Sequence, residues 1–596
     1  MLRVLLLAAV ATALGQHAAD DLNSGSSTDA AYANATLMAE LAALEPPGTE
    51  RLQPLQLVTT GYVSPSAVVW MPNNKILMLE RLFIASGASS GTRGPWHSQE
   101  FDPSTNFVRP LTLPQNAWCA GGVVSPEPSG RVISFGGYDR ASVANIMDFV
   151  PCGAPGQPGT CGWRALNSYV TLKQARWYPT ALPLPSGRIL VLGGSLYGGS
   201  LQYAAGTAEF IPARAQESLV NVPLLESIIA RGISPMYPFA HVLPTGTLFI
   251  FNWDSAHVVS AETLQPITFL PTLPGGARSY PQAGTSVLLP LLAADNYTAR
   301  VLVCGGQAVA SVTNPATQSC GLIEPLRPKA AWALEQMPIP RVMPDSILLP
   351  DGTVYICNGG VAGLAPYGGS RSPAYQSVVY DPKLPLGQRF SIVAITNIAR
   401  LYHSGASLMP DGSVLLSGSH GQFNAWRVPP PGTFPDEKRM ERYLPSYMSP
   451  GVARPTWVSL ASAQWSYASA VGFEATIPSG NLSAVSAMLS CNGYVTHSFA
   501  QGQRMIELVV TPAGSPSSFS LMTPPNANLM PPGWYQLWVL DNSIPSVSRW
   551  VQLGGDPANL AAWPPGVRVA RPLGLESNTS AVPEPPPRQP LFWGTL

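Results

Sequence analysis

The stretch PSGRILVLGG, residues 185–194, joins a Pro-x-Gly turn to an apolar strand that ends in Gly-Gly. Six further segments repeat this pattern: PNNKILMLE (72–80), PSGRVISFGG (128–137), PTGTLFIFNW (244–253), the weaker YTARVLVCGG (297–306), PDGTVYICNGG (350–360) and PDGSVLLSGS (410–419). Successive copies begin 53 to 60 residues apart, and a turn–strand period of this size is typical of propeller blades. This turn–strand repeat predicts a seven-bladed, kelch-like β-propeller over residues 56–455. An ordinary β-sandwich rich in Pro-Gly turns is the less favoured alternative.

The segments on either side of the repeat have a different character. Residues 1–15 (MLRVLLLAAVATALG) are typical of a signal peptide, and residues 16–55 are a low-complexity, Ala/Ser/Asp-rich N-terminal extension. Residues 456–555 alternate apolar and polar side chains, as in WYQLWVLD, and predict a small immunoglobulin-like β-sandwich. Residues 556–596 are Pro-rich and predict an extended tail. The chain is therefore expected to be all-β.

Composition excludes several classes of protein. The formal net charge is +0 with 11% charged residues, so there is no basic patch for nucleic acid. After residue 15 no apolar stretch is long enough to span a membrane. Four N-x-S/T sequons agree with export and glycosylation: Asn34, Asn296, Asn481 and Asn578. We therefore expect a soluble protein that is secreted to the extracellular space or the cell wall or matrix.

The seven cysteines also fit an oxidising compartment. Three pairings are open: Cys152 with Cys161, Cys304 with Cys320 and, more weakly, Cys357 with Cys491. The first two pairs bracket short loops, so they favour local disulfides. An odd count leaves one cysteine without a disulfide partner.

Familiar catalytic signatures are absent from the sequence. There is no Gly-x-Ser-x-Gly elbow, no phosphate loop and no His-Glu-x-x-His helix. Four scattered segments combine cysteine, tyrosine and histidine: WCAGG (118–122), RWYP (176–179), LYHS (401–404) and VTHS (495–498). Imidazole is a common copper ligand, but a lone histidine is more often structural. On composition alone, four other histidines have equal standing with His403 and His497: His97, His241, His257 and His420.

In this order, the four segments resemble the copper site of galactose oxidase and, more closely, that of glyoxal oxidases. The resemblance implies a thioether between Cys119 and Tyr178, and so makes Cys119 the unpaired cysteine. It implies Tyr402 as an axial ligand, with His403 and His497 as the two imidazole ligands. His497 would be supplied by a loop of the C-terminal sandwich that reaches into the propeller channel. It extends over residues 56–555 and takes in ARWYPTALPLPSGRILVLGGS and PPGWYQLWVLDNSIPS. The metal ligands would be Tyr178, Tyr402, His403 and His497, and the catalytic residues Tyr178, Cys119 and Tyr402.

The same resemblance implies the chemistry. Cu(2+) and a radical on the crosslinked Tyr178 would each accept one electron, and O2 would reoxidise the pair with release of H2O2. Tyr402 would take the substrate's proton as general base. Partners would be a small aldehyde or alcohol and O2, with a peroxidase as a candidate activator, and the chain is expected to be a monomer.

Leu196 stands where galactose oxidase has a tryptophan that covers the radical ring, with Trp118 or Tyr197 as candidates to cover it here. This difference favours small aldehydes such as glyoxal or methylglyoxal, oxidised to carboxylic acids. Two alternatives stay open. One is a primary-alcohol or galactose-type oxidase with the same metal chemistry. The other is a non-catalytic secreted propeller that binds glycans or proteins.

Overall fold

The computed structural model describes residues 53–81, 96–127, 129–138, 144–151, 162–167, 170–196, 200–214, 216–366, 368–420 and 434–554. Within them almost every regular element is a strand, which confirms the all-β prediction. The α-helix among these residues is α1 (Pro223–Ala230), which has its proline at the first helical position, where no backbone N–H is needed. None of the described helices is long and apolar enough to cross a membrane.

Several sequence predictions fall outside the described residues. They are the signal peptide, residues 16–52 of the extension, the Pro-rich tail, the Cys152–Cys161 pair, Tyr197, and the sequons at Asn34 and Asn578. The end of the predicted extension is described and is ordered. There β1 (Gln53–Pro54) adds a parallel strand beside Ala394 and Ile395.

After β1 comes β2 (Gln56–Thr60), and the strands between residues 67 and 269 then form four antiparallel sheets. Sheet I contains β3 (Ala67–Met71), β4 (Lys75–Leu79), β5 (Ser98–Asp102) and β6 (Phe107–Leu111). Sheet II contains β7 (Gly121–Val124), β8 (Val132–Phe135), β9 (Ile146–Phe149) and β10 (Trp163–Ala165). Sheet III contains β11 (Thr180–Pro183), β12 (Ile189–Leu192), β13 (Thr207–Ile211) and β14 (Val220–Asn221). Sheet IV contains β15 (Phe239–Val242), β16 (Leu248–Asn252), β17 (Ser255–Val259) and β18 (Pro266–Phe269).

Three more sheets follow before residue 450. Sheet V contains β19 (Gly284–Leu288), β20 (Val301–Gly305), β21 (Ser319–Ile323) and β22 (Ala333–Gln336). Sheet VI contains β23 (Asp345–Leu348) and β24 (Val354–Cys357), then, after a separate hairpin of β25 (Gly360–Gly363) and β26 (Ser370–Pro373), β27 (Gln376–Tyr380) and β28 (Phe390–Ile395), with β1 at its edge. Sheet VII contains β29 (Gly405–Leu408), β30 (Val414–Ser417), β31 (Arg439–Tyr443) and, from the start of the chain, β2.

The turn–strand repeat forms the second strand of each of these sheets, as in β8, β12 and β30. These strands are buried along their whole length, because side chains on both of their faces pack against neighbouring sheets. In one such core, Leu302 of β20, Ile356 of β24 and Leu416 of β30 lie in the same cluster. A strand covered on both faces reads as a continuous apolar run rather than an alternating one, which is the pattern seen in the sequence.

The sheets also contact one another through their first strands: β3 with β29, β7 with β11, β11 with β15, β19 with β23, and β23 with β29. The start of the chain returns to sheet VII, where β2 pairs antiparallel with β31. This pairing covers an edge that would otherwise expose unpaired backbone groups.

The remaining strands are β32 (Thr456–Leu460), β33 (Gln464–Trp465), β34 (Ala470–Thr476), β35 (Val485–Cys491), β36 (Tyr494–Thr496), β37 (Phe499–Gln501), β38 (Arg504–Leu508), β39 (Val510–Pro512), β40 (Ser518–Met522), β41 (Gly533–Asp541), β42 (Ile544–Pro545) and β43 (Arg549–Leu553). Most of them form two sheets over a shared core that includes Phe473, Leu489 and Val551. The strand β34 alternates exposed and buried residues because one of its faces is solvated.

The hairpin of β36 and β37 leaves these two sheets and joins sheet I. Its first strand pairs antiparallel with β3, so that Thr496 lies opposite Ala67. The hairpin contacts the first strands of all seven sheets, β3, β7, β11, β15, β19, β23 and β29. It therefore lies among the inner strands, with its turn at residues 497–498.

Candidate metal centre

Four buried arginines hold the segments that lead into first strands: Arg176, Arg278, Arg341 and Arg400. Each guanidinium donates to a backbone carbonyl at the end of the second strand of its own sheet: Gly193, Gly305, Asn358 and Gly418. A rigid five-donor group suits this task because buried carbonyls must be hydrogen-bonded. The four segments form a second repeat in the sequence: ARWYP (175–179), ARSYP (277–281), PRVMP (340–344) and ARLYH (399–403).

The residue two positions after each arginine lies in one buried cluster at the inner end of the sheets. These residues are Tyr178, Tyr280, Met343 and Tyr402. The three phenol oxygens converge: Tyr178 lies 3.0 Å from Tyr402 and 3.0 Å from Tyr280, and Tyr280 lies 3.3 Å from Tyr402. Three sheets therefore bring three hydroxyl groups to one point.

The hairpin and two loops supply the other groups. His403 follows Tyr402 and lies just before β29, while His497 lies in the turn of the β36–β37 hairpin. The Nε2 atoms of His403 and His497 each lie 3.4 Å from the Sγ of Cys119. The Nε2 of His497 also lies 3.3 Å from the hydroxyl of Tyr402. The structure thus brings together all five residues singled out as site residues from the sequence.

Four of these five residues have left-handed backbone conformations, with φ of 57° at Cys119, 60° at Tyr178, 64° at His403 and 49° at His497. Non-glycine residues adopt this region rarely and at a cost in free energy. Close backbone contacts enforce the geometry: Tyr178 N donates to Cys119 O at 3.0 Å. A Cβ on Gly194 would lie 2.6 Å from the carbonyl oxygen of Trp177, so glycine is required beside Tyr178. Such concentrated strain is typical of functional sites.

Burial favours the neutral forms of the two imidazoles, the Tyr178 phenol and the Cys119 thiol. It lowers the pKa of His403 and His497 well below the usual range, with the neighbouring imidazoles adding to the effect. It raises the pKa of the Tyr178 phenol well above its ordinary value. It also raises the pKa of the Cys119 thiol, against hydrogen bonds from Tyr178 and Tyr402. Unprotonated imidazole is the form that binds a metal.

The donor atoms fit a copper ion. Cys119, His403 and His497 have ligand atoms within 4.8 Å of one another, and two phenol oxygens lie beside them. Both imidazoles direct Nε2 into the cluster, because each Nδ1 is engaged elsewhere: His403 with His420 at 3.0 Å and His497 with Thr496 at 2.7 Å. Two imidazole nitrogens and two phenol oxygens form a mixed N/O set of the kind that suits Cu(II).

Two aromatic side chains pack against the ring of Tyr178. Tyr280 stacks on it with ring centroids 4.5 Å apart, and Trp177 lies 4.4 Å away at a tilt of 40°. Trp118, a sequence candidate for this role, packs on Trp177 at 5.6 Å and edge-on to His403 at 5.9 Å. Trp118 lies in the same buried cluster as Tyr178, and its role as a cover for the ring stays a prediction. Tyr280 comes from the segment ARSYP, which leads into a sheet distant in sequence.

The structure also tests the predicted disulfides and shows where the other histidines lie. The disulfide Cys304–Cys320 is confirmed, and it joins β20 to β21. Cys357 and Cys491 are both free, so the third pairing was wrong; Cys357 is buried in the core between sheets. Among the other histidines, His241 bonds to Ser286 and His257 packs on Phe269. His420 is the exception, since it contacts the site through His403.

Comparison with known proteins agrees with this geometry. The family described as "Glyoxal oxidase N-terminus" matches residues 86–447, and "Galactose oxidase-like, Early set domain" matches residues 454–553. The chain is 34% identical to aldehyde oxidase GLOX of Vitis pseudoreticulata over 77% of this chain and 86% of that one. It is 36% identical to a WSC domain-containing protein of Arthroderma benhamiae over 80% of this chain. The matched region spans half of that relative's length.

More distant similarity extends to galactose oxidase of Gibberella zeae, 25% identical over 79% of this chain and 65% of that one. A solved fungal alcohol oxidase in complex with copper shares the fold, with a TM-score of 0.65, 17% identity, and coverage of 84% of this chain and 99% of that one. The chain belongs to the glyoxal oxidase family of copper radical oxidases.

Proposed function

We propose that this chain is a secreted copper radical oxidase that converts small aldehydes to carboxylic acids and reduces O2 to H2O2. The observation that carries the proposal is the convergence of Cys119, Tyr178, Tyr402, His403 and His497 in one buried cluster. For a hydrated aldehyde the balance is RCH(OH)2 + O2 → RCOOH + H2O2.

Cys119 and Tyr178 would form a thioether. The S–H bond of Cys119 and a ring C–H bond of Tyr178 break, a C–S bond forms, and the two hydrogens with their two electrons pass to O2 as H2O2. Support comes from their adjacency: both lie in the same buried cluster, and their backbones are hydrogen-bonded at 3.0 Å. A Cys119 thiolate that binds the metal directly is the rival arrangement.

The four ligands would be Tyr178, Tyr402, His403 and His497. Copper, when bound, supplies one oxidising equivalent and a Lewis-acidic position for the substrate oxygen. As a phenolate, Tyr402 would accept the substrate's hydroxyl proton. Its oxygen lies 3.0 Å from that of Tyr178 and 3.3 Å from Nε2 of His497. The crosslinked Tyr178 would remove the hydrogen atom from carbon. Tyr280, stacked on it, would hold the ring and exclude water.

Small aldehydes are the proposed substrates because Leu196 replaces the large aromatic side chain that the galactose oxidase resemblance would require. The 34% identity to a relative named aldehyde oxidase, against 25% to one named galactose oxidase, favours the same choice. A primary alcohol oxidised by the same chemistry is the second candidate, since the solved neighbour in complex with copper is named an alcohol oxidase.

The proposal includes an architecture and a location. We propose that sheets I–VII are the seven blades of a propeller at residues 56–455, and that residues 456–555 are an immunoglobulin-like sandwich whose β36–β37 hairpin delivers His497. The contacts between first strands and the return of β2 to sheet VII support a closed ring. The signal-peptide pattern of residues 1–15 and the Cys304–Cys320 disulfide support secretion.

The test is to load the purified protein with copper, oxidise it, and measure peroxide release on methylglyoxal, glyoxal, a primary alcohol and galactose. We expect one copper per chain and the highest kcat/KM on an aldehyde. His403→Ala and His497→Ala should each lose copper and peroxide release, while the control His257→Ala, outside the site, should keep both. Higher kcat/KM on galactose would contradict the substrate assignment, and a copper-free, inactive wild type would contradict the whole proposal.

A further inference from the structure

One buried histidine outside the sequence motifs lies directly behind the proposed copper site. The Nδ1 of His420 lies 3.0 Å from the Nδ1 of His403, and its Nε2 lies 3.4 Å from Oε1 of Glu80. All three side chains are buried. The backbone N–H of His420 donates to the carbonyl of Tyr402 at 2.7 Å, and Glu80 accepts from the backbone N–H of Ser64 at 3.0 Å. Hydrogen bonds to the backbone therefore hold both His420 and Glu80 in place.

The hydrogen positions in this chain of groups follow from the role of His403. Two Nδ1 atoms at 3.0 Å must share one proton, because two lone pairs or two N–H groups would repel each other. If His403 presents Nε2 to the metal, its proton lies on Nδ1 and is donated to His420. His420 then carries its own proton on Nε2, facing the carboxylate of Glu80 across a long hydrogen bond of 3.4 Å.

The second imidazole is supported differently. The Nδ1 of His497 lies 2.7 Å from the hydroxyl of Thr496, and that hydroxyl donates to the carbonyl of Ser66 at 2.8 Å. The hydroxyl therefore accepts the proton of His497. His497 is backed by a neutral hydroxyl and a carbonyl, whereas His403 is backed by an imidazole and a carboxylate.

We propose that Glu80 and His420 are positioning residues that fix the tautomer of His403 and strengthen it as the tighter-binding of the two copper ligands. The inference rests on the proposed function, because it needs His403 to bind copper. Partners of this kind orient a ligating imidazole and raise its basicity, and their loss typically weakens metal binding by 10–100-fold.

The same residues could instead hold a second cation. Glu80, His420 and the half-buried Asp436 have ligand atoms within 4.8 Å of one another. A cation there would bind Nε2 of His420, and so would replace the hydrogen bond to Glu80. We call the hydrogen-bonded series His403–His420–Glu80 the relay. It is favoured because separations of 3.0 Å and 3.4 Å link the three side chains in one continuous chain.

The experiment measures Cu(II) affinity by chelator competition, and the EPR hyperfine splitting of bound Cu(II), in the full-length protein. His420→Ala and Glu80→Gln should weaken Cu(II) binding by roughly 10–100-fold and change the hyperfine splitting. His420→Asn keeps an acceptor for the Nδ1–H of His403 but loses Glu80, so its affinity should be intermediate. Glu437→Gln is the matched control: it removes a carboxylate that pairs with Arg439, and it should bind Cu(II) like the wild type.

The outcomes separate the two proposals. Glu80→Gln and His420→Asn conserve the size and shape of the side chain, so they should fold even if the alanine variant does not. If both variants keep wild-type Cu(II) affinity and hyperfine splitting, the relay is overturned and the copper site still stands. A second metal ion per wild-type chain that is lost in Glu80→Gln would overturn it in favour of a cation site. A wild type that binds no copper would remove the proposed function, and the relay with it.

Discussion

Tyr280 lies in the candidate site but was not among the site residues predicted from the sequence. It comes from sheet V, stacks on Tyr178, and places its hydroxyl within 3.0 Å of one phenol and 3.3 Å of the other. A phenol that is to hold an unpaired electron needs a ring that is shielded from water and fixed in place. Tyr280 and Trp177 together provide this in the described structure.

Replacing Tyr280 tests that role. Tyr280→Leu removes the stacked ring, an interaction of about 0.5–1.5 kcal/mol, so peroxide release should fall by roughly 2–10-fold and the absorption of the oxidised protein should decay faster. Tyr280→Phe keeps the ring and should lose less on both measures. A Tyr280→Leu enzyme as fast and as long-lived as the wild type would show that Tyr280 is packing alone.

At the scale of single elements, the buried arginines explain why loops from different sheets hold their residues in register. Arg176 pairs with Glu209 at 3.0 Å and donates to the carbonyls of Gly193 and Thr207 at 2.9 Å. It thereby ties the segment that carries Tyr178 to the second and third strands of sheet III. Arg400 does the same for Tyr402 in sheet VII, through Glu441 and Gly418.

Arg176→Leu should therefore be severely destabilising. It leaves the buried Glu209 carboxylate unpaired, which costs roughly 3–5 kcal/mol of unfolding free energy. Urea denaturation monitored by tryptophan fluorescence measures the effect. The control is Arg231→Leu, which breaks the exposed pair with Asp254 and should cost less than about 1 kcal/mol. Equal losses in the two variants would mean that Arg176 does not hold sheet III together.

At the scale of the whole molecule, the sequence predicted the repeated strands and a loop of residues 456–555 that carries His497, but it did not predict that this loop pairs with sheet I. The turn–strand repeat identified the second strand of each sheet, because a strand covered on both faces needs an unbroken apolar run. No local pattern could show that β36 pairs with β3, since Thr496 and Ser66 meet across 430 residues. The family resemblance of four sequence motifs nevertheless predicted that Cys119, Tyr178, Tyr402, His403 and His497 share one site.

The residues that were missed have two different explanations. Tyr280 carried a readable signal, since ARSYP repeats ARWYP, but that repeat emerges only when the buried arginines are compared. His420 was only one of four further histidines of equal standing: it lies 17 residues after His403, across the β29–β30 hairpin, and only the fold brings the two imidazoles together. A sequence can indicate which residues repeat, whereas contacts between different sheets depend on the three-dimensional packing.

The central claim is that five residues from distant parts of the chain build one radical copper site, and the Cys119–Tyr178 bond tests it most directly. The measurement is peptide mass spectrometry of copper-loaded, oxygen-exposed protein, with Cys119→Ser treated in parallel. The account predicts a branched peptide that joins Cys119 to Tyr178 and is lighter by two hydrogens than its separate parts. The variant should lack this species, still bind copper, and lose nearly all peroxide release. A free Cys119 thiol, or Cys119 in a disulfide, in fully active protein would contradict the account.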